Sequence, residues 1–186
     1  MQARSSSFST PEHLERFARA RAVLADSGVD ACVMVAPENV YYFGGYESWV
    51  GVNSPQFVIF TSGSDEPTLV LRNVDVPLAS ETTWIKDVRS YHLHTDSVPQ
   101  LVDAVLAEKG CKTGRVAMEM QSYAISFGFG GQLAEALAPR TFVDATELLG
   151  DLRLIKSPSE LELIEQGARF AVIGLRELRD TCRAGM

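Results

Sequence analysis

Apolar positions along the chain alternate between helical and extended spacing, which predicts an α/β fold. A helix is predicted from residue 10 to residue 28, because apolar residues recur there at helical intervals: Leu14, Phe17, Ala20 and Leu24. Thr10 and Pro11 supply a helix start, and Gly28 supplies a stop. The run "ACVMV" that follows is β-branched and bounded by turn residues, so residues 31–35 form a predicted buried strand.

The same alternation continues downstream. After an aromatic and glycine-rich loop over 37–54, "PQFVIFT" and "PTLVLR" predict a hairpin, and "VDVPLASETT" predicts a short helix or loop. Further strands are predicted within 85–93, 114–120 and 140–146, with helices over 97–109, 122–137 and 144–151. Helices between strands favour a mixed, mostly six-stranded sheet with helices on both faces.

The last predicted helix is apolar on two sides. Ser157, Pro158 and Glu160 have the spacing of a capping box with proline at the first helical position. One face carries a long apolar row, and the opposite face carries Leu163, Phe170 and Ile173. A helix of this kind is normally buried between two bodies, although scattered exposed apolar residues would give the same pattern.

Composition excludes several classes of function. A net charge of −7 without a basic run argues against a nucleic-acid partner. No apolar run has the length of a membrane span, and the serine-rich start lacks the apolar centre of a signal peptide. Cys32, Cys111 and Cys182 are widely spaced and odd in number, which predicts buried reduced thiols in a cytoplasmic protein.

Four stretches together resemble the creatinase/prolidase (pita-bread) family. "RLIKSPSELELIEQGARFA" resembles the junction between its two domains, and "PENVYYFGGYES" resembles its Asn–x–x–Tyr–x–x–Gly–Tyr/Phe signature. "GRVAMEM" is similar to the strand near the end of the N-terminal domain, which usually ends in Glu. "CRAGM" is similar to the Pro–Gly–Met turn after the first catalytic helix, with Ala184 where proline is usual.

The resemblance implies a domain organisation. By it, residues 11–156 would be the N-terminal domain with a ribonuclease H-like topology, and 157–186 the linker and first helix of a truncated catalytic domain. The serine-rich composition of residues 1–10 predicts a flexible leader before them. Most members are hydrolases that hold two divalent metals in the C-terminal domain, whereas creatinase works without metal through a histidine. Those positions would lie beyond Met186, so we expect no catalytic residue, metal ligand or cofactor in this chain. Its expected partners are its own catalytic domain and a second copy in a homodimer.

The stretch "YESW" is the best candidate for substrate contact. Tyrosine and tryptophan beside glycines in a loop offer apolar area with a polar tip, although they could equally pack over the sheet edge. In the creatinase branch, residues after the signature reach the active site of the neighbouring subunit. By that resemblance, Tyr46 and Trp49, with Arg72 at the end of the second hairpin strand, are expected to shape substrate access.

Other motifs carry weaker signals. His92 and His94 would share one face of a strand at a spacing that metals use, but no third ligand is identifiable, and solvated histidines explain the pattern as well. "GFGGQ" sits in a helical pattern and lacks the lysine and spacing of a phosphate loop. No nucleophile elbow is present in the sequence.

Two functions of different classes are compatible with this sequence. The first is the non-catalytic N-terminal domain of a hydrolase that cleaves a C–N bond in a small amide or amidine or in an Xaa-Pro peptide. The second is a stand-alone binding or assembly domain, related to pseudo-enzyme members of the family. The second apolar face of the last helix separates them, because a self-sufficient domain should not leave such a patch exposed.

Overall fold

A computed structural model describes residues 6–52, 54–64 and 66–185. Its centre is a six-stranded sheet with the strand order β4-β3-β2-β1-β5-β6. The strands β1 and β2 pair antiparallel, as do β2 and β3, and the other neighbours pair parallel. This confirms the predicted mixed sheet. The strands are β1 (Ala31–Met34), β2 (Phe57–Thr61), β3 (Thr68–Arg72), β4 (Asp87–Tyr91), β5 (Arg115–Met118) and β6 (Thr141–Asp144).

Helices cover both faces of this sheet, as predicted. They are α1 (Thr10–Asp26), α2 (Pro37–Gly44), α3 (Val76–Thr82), α4 (Val98–Glu108), α5 (Phe127–Ala136) and α6 (Thr146–Asp151). A further helix, α7 (Pro158–Thr181), follows them along the chain. Alternate residues of β1 enter two separate cores: Met34 packs with residues of α1, α2 and α6, and Val33 packs with residues of α4 and α5. Because both faces of the central strands are buried, these strands appear in the sequence as continuous apolar runs.

The aromatic stretch after β1 differs from the predicted loop. Residues Pro37–Gly44 form α2, and Trp49–Val52 form a short 3-10 helix. Pro37 stands in the first turn, and Gly45 ends the helix in the left-handed conformation at φ +73°. This helix was not predicted, because a stretch dense in aromatic residues and glycines is also typical of a surface loop. The prediction of an irregular segment holds for residues 45–48.

Two helix starts also differ from expectation. The helix α1 takes Ser9 as its N-cap, whose hydroxyl accepts a hydrogen bond from the backbone N–H of Glu12. Residues 122–125 form turns, and α5 starts only at Phe127, because the hydroxyl of Ser126 accepts a hydrogen bond from Phe129 N. In both cases a serine hydroxyl determines where the helix begins.

The predicted flexible leader lies partly outside the described residues. The described part makes specific contacts: the guanidinium of Arg16 lies 4.0 Å from the ring centre of Phe8, and Ser6 Oγ lies 3.2 Å from His13 Nε2. An arginine and a histidine of α1 thus contact Ser6 and Phe8. The flexibility of the leader stays a prediction.

The chain divides into two compact units, residues 1–152 and residues 153–186. The second unit contains α7, which begins with the predicted capping box: Ser157 Oγ accepts from Glu160 N, and Glu160 Oε2 accepts from Ser157 N. None of the described residues of α7 is buried, and Phe170 is 73% exposed. Both apolar flanks of α7 thus face solvent. Within the described chain, no helix combines the length and hydropathy needed to cross a membrane.

Candidate functional site

A cavity of about 370 Å³ opens beside α2, and we call it the α2 cleft. It is bounded by the first turns of α2, by the segment that follows α2, and by the loop after β5. Its lining includes Tyr41, Tyr46, Glu47, Trp49 and Tyr123. Two of the three residues predicted to shape substrate access therefore lie together in one cleft. This size is at the small end of the range for ligand pockets.

Tyr46 forms the buried floor of the α2 cleft, whereas Trp49 forms part of its rim. The side chain of Tyr46 is fully buried, and Trp49 is 75% exposed. Tyr46 is therefore a packed residue, whereas Trp49 is accessible, and its role in substrate contact stays a prediction. The fold separates two neighbouring aromatic residues into a structural one and an accessible one.

The hydroxyl of Tyr46 belongs to a network that includes two other buried side chains, Gln56 and Asp75. It donates a hydrogen bond to Asp75 Oδ2 and accepts one from Gln56 Nε2 at 3.1 Å. Gln56 Nε2 also lies 3.3 Å from Asp75 Oδ2. Burial, together with the hydrogen bond to Asp75, raises the pKa of Tyr46 well above its usual value. The tyrosine therefore stays protonated and acts as a fixed donor rather than as a base.

Arg72 is the third residue that was predicted to shape substrate access. It ends β3 in register with Tyr91 of β4 and is not among the described residues that line the α2 cleft. Its Nε atom is buried without a hydrogen-bond partner among the described residues. The hydroxyl of Tyr91 donates to Pro55 O at 2.7 Å, and burial raises the pKa of Tyr91 to about 12. Arg72 is therefore outside the described lining of the α2 cleft, and its part in substrate access stays a prediction.

A buried carboxyl group fixes the N-terminal end of α2. Glu119 follows β5, and its Oε1 and Oε2 accept hydrogen bonds of 2.8 Å from Asn39 Nδ2 and Val35 N. Burial raises the pKa of Glu119, although these hydrogen bonds act in the opposite direction. Asn39 and Glu119 each lie in a stretch that resembles the family, but their contact was not predicted. A glutamate directly after a buried apolar strand was the available signal, since such a residue needs partners.

The histidines and cysteines of the described residues do not form a candidate metal centre. Among them, no group of three or more His, Cys, Asp or Glu could hold a metal ion. His92 and His94 follow the end of β4 in a turn, so the predicted placement on one strand face is wrong. The three cysteines are free, but Cys182 is exposed, contrary to the expectation of burial. Burial raises the pKa of both Cys32 and Cys111, which keeps these thiols protonated.

Comparison with known proteins gives consistent matches over most of the chain. The family model described as the creatinase/prolidase N-terminal domain matches residues 16–155. The creatinase of Bacillus sp. (strain B-0618) is 26% identical over 179 residues, which are 96% of this chain and 42% of the relative. The ectoine hydrolase of Halomonas elongata is 29% identical over 171 residues, which are 88% of this chain and 42% of that relative.

Solved structures agree in fold. The Xaa-Pro dipeptidase from Bacillus anthracis superposes with a TM-score of 0.76 at 17% identity, covering 94% of this chain and 45% of that one. The chain spans less than half the length of each of these relatives. The six-stranded sheet and the match of the family model over residues 16–155 lead to one conclusion. The chain belongs to the creatinase/prolidase family and corresponds to its N-terminal domain.

Proposed function

We propose that this chain is the non-catalytic N-terminal domain of a creatinase/prolidase-type hydrolase. The parent protein would cleave a C–N bond in a small amide or amidine, or in an Xaa-Pro peptide, through a C-terminal domain that holds the catalytic groups. The relatives named creatinase and ectoine hydrolase support this proposal, since this chain matches less than half of each. A divalent metal, if the parent uses one, would belong to that second domain.

The domain would contribute to dimerisation and to substrate access. The observation that carries the proposal is the exposure of both apolar flanks of α7, with Leu161 on one flank and Phe170 and Ile173 on the other. Such flanks favour association, because apolar side chains gain free energy when they leave water. Substrate access would be shaped by Trp49 at the rim of the α2 cleft, with Tyr46 holding the floor. The alternative of a stand-alone binding domain is less favoured, because it should not expose these flanks.

Activity measurements test the first part of the proposal. The 186-residue chain is incubated with creatine, ectoine or an Xaa-Pro dipeptide, with and without added Mn²⁺. We expect no turnover in any combination. Turnover that survives repurification of the chain would overturn the proposal that it is non-catalytic. Reading the coding sequence beyond residue 186 is a complementary test, in which a second domain with a catalytic set is the expected result.

Sedimentation tests the second part. We expect the chain to form a dimer, and we expect Phe170→Glu to shift it towards the monomer. Gln166→Glu is the matched control, since it adds the same charge to an exposed polar position of α7. A monomeric wild-type chain at high concentration would contradict the role in dimerisation. Equal effects of the two variants would assign any dimer to a surface other than the apolar flank.

A further inference from the structure

The α2 cleft combines aromatic rings with negative charge. Glu38 and Glu47 line it together with Tyr41, Trp49 and Tyr123, and its described lining includes no lysine, arginine or histidine. An aromatic face carries negative electrostatic potential and attracts cations, and the two carboxylates add full negative charges. The lining is thus complementary to a positively charged ligand and repels an anion.

Two of these rings are placed where a ligand can reach them. Trp49 is 75% exposed and Tyr123 is 72% exposed, and they come from different segments, the 3-10 helix after α2 and the loop after β5. Large aromatic side chains that converge on one cavity while facing water are typical of contact sites. The buried network of Tyr46 holds the floor beneath them in a fixed position.

The N-terminal end of a helix favours an anion as ligand, but at α2 the carboxyl group of Glu119 already occupies that place. The carboxyl group of Glu119 accepts hydrogen bonds from Val35 N and from Asn39 Nδ2. On the floor of the cleft, the Tyr46 hydroxyl donates to Asp75, and the Gln56 amide nitrogen lies within hydrogen-bond distance of Tyr46 and Asp75. These donors face partners within the protein, so they do not create a binding site for an outside carboxylate.

We propose that the α2 cleft binds a compact organic cation, with an amidinium, guanidinium or alkylammonium group placed between its carboxylates and its aromatic rings. The cavity of about 370 Å³ accommodates a small molecule of this class. The inference rests on the proposed function in assigning the cleft to substrate access. Binding by the 186-residue chain, however, is measurable without any catalytic domain.

Benzamidine is the probe, and benzoate is the matched anion with the same ring. The chain contains two tryptophans, so an NMR spectrum of the ¹⁵N-labelled protein shows two indole signals. Trp49 lines the cleft, whereas the indole of Trp84 donates a hydrogen bond to Phe43 O and serves as the internal reference. We expect benzamidine to shift the Trp49 signal in a saturable manner, to leave the Trp84 signal in place, and to bind more weakly as salt is added. Benzoate should give no saturable shift.

A pair of variants tests the contribution of charge. Glu47→Gln should weaken benzamidine binding about fivefold, the loss expected for one nearby solvated charge. Glu135→Gln is the control, because it removes the same charge from an exposed position on α5 outside the cleft. Equal weakening by both variants, stronger binding of benzoate, or no saturable binding of benzamidine would each overturn the cation assignment. None of these results would alter the turnover and sedimentation outcomes, so failure of this inference is distinguishable from failure of the proposed function.

Discussion

Glu119 and Asn39 are joined by a hydrogen bond of 2.8 Å between Oε1 and Nδ2, across 80 positions of sequence. Glu119 follows β5, and Asn39 lies in the first turn of α2. Since Glu119 also accepts from Val35 N at the end of β1, one buried carboxyl group ties two neighbouring strands to the helix that bounds the α2 cleft. The position of the cleft therefore depends on this contact.

Breaking this contact should destabilise the domain. Glu119→Gln places an amide nitrogen against one of two donors, and Asn39→Ala removes a donor from a buried acceptor. Each variant is expected to lower the free energy of unfolding by about 1–3 kcal/mol in urea denaturation. A double-mutant cycle should give a coupling energy of about 1 kcal/mol, because the two residues contact each other directly. Strict additivity would contradict the pairing, and Glu135→Gln on the exposed face of α5 should have little effect.

Acidification should destabilise the domain through His13. Burial lowers the pKa of this imidazole below its usual value of 6.5, and its Nδ1 lies 3.1 Å from Tyr42 O. The unfolded chain therefore binds the proton at a higher pH than the folded chain does. The contribution of His13 is complete above about pH 6.5 and is lost as the pH falls towards the lowered pKa, by up to about 1.4 kcal/mol per pH unit.

Urea denaturation at about pH 7.5 and about pH 5.5 measures this effect. His13→Gln should show a smaller loss of stability between the two values, since glutamine keeps an amide donor but does not titrate. His92→Gln is the control, because His92 is exposed after β4. If His13→Gln leaves the pH dependence unchanged, another group is responsible for it.

Gly114 should tolerate no side chain. Its φ of +113° lies in the region that favours glycine, and a Cβ at this position would overlap Oδ2 of Asp30. That same oxygen accepts a hydrogen bond of 2.7 Å from Arg115 N at the start of β5. Gly114→Ala is therefore expected to lower the free energy of unfolding by more than about 2 kcal/mol.

Gly110→Ala is the matched control for this prediction. Gly110 also has a positive φ, +86°, but a Cβ there meets no atom within 4 Å. We expect this variant to show only the backbone penalty, about 1 kcal/mol. Equal losses from the two variants would show that the contact with Asp30 contributes nothing.

Tyr46→Phe should destabilise the floor of the α2 cleft. The variant removes the hydroxyl donor from the buried carboxylate of Asp75 and the acceptor from Gln56 Nε2. A loss of about 2 kcal/mol is expected in urea denaturation, because a buried acceptor is left with fewer partners. Tyr123→Phe, at an exposed position, should change stability by less than about 0.5 kcal/mol. A neutral Tyr46→Phe would show that the network is not needed for stability.

The sequence alone determined the elements whose signals are local. The sheet was predictable because its central strands are continuous apolar runs, and the start of α7 because Ser157 and Glu160 form a capping box within one turn. The family was recognisable from short stretches in the same way. Where aromatic residues replaced the usual helical pattern, as in Pro37–Gly44, the local signal failed and α2 was read as a loop.

Only the tertiary structure decided which residues share a site. Tyr46 and Trp49 are three positions apart, yet one is buried by Asp75 and Gln56 while the other faces the cleft. Arg72 was grouped with them by resemblance, but strand pairing places it beside Tyr91. Glu119 and Tyr123 lie in the segment after β5, far from α2 in sequence, yet they come close to α2 in the fold. Contacts of this kind depend on how distant segments pack, because burial and hydrogen bonding are properties of the folded chain and not of sequence spacing.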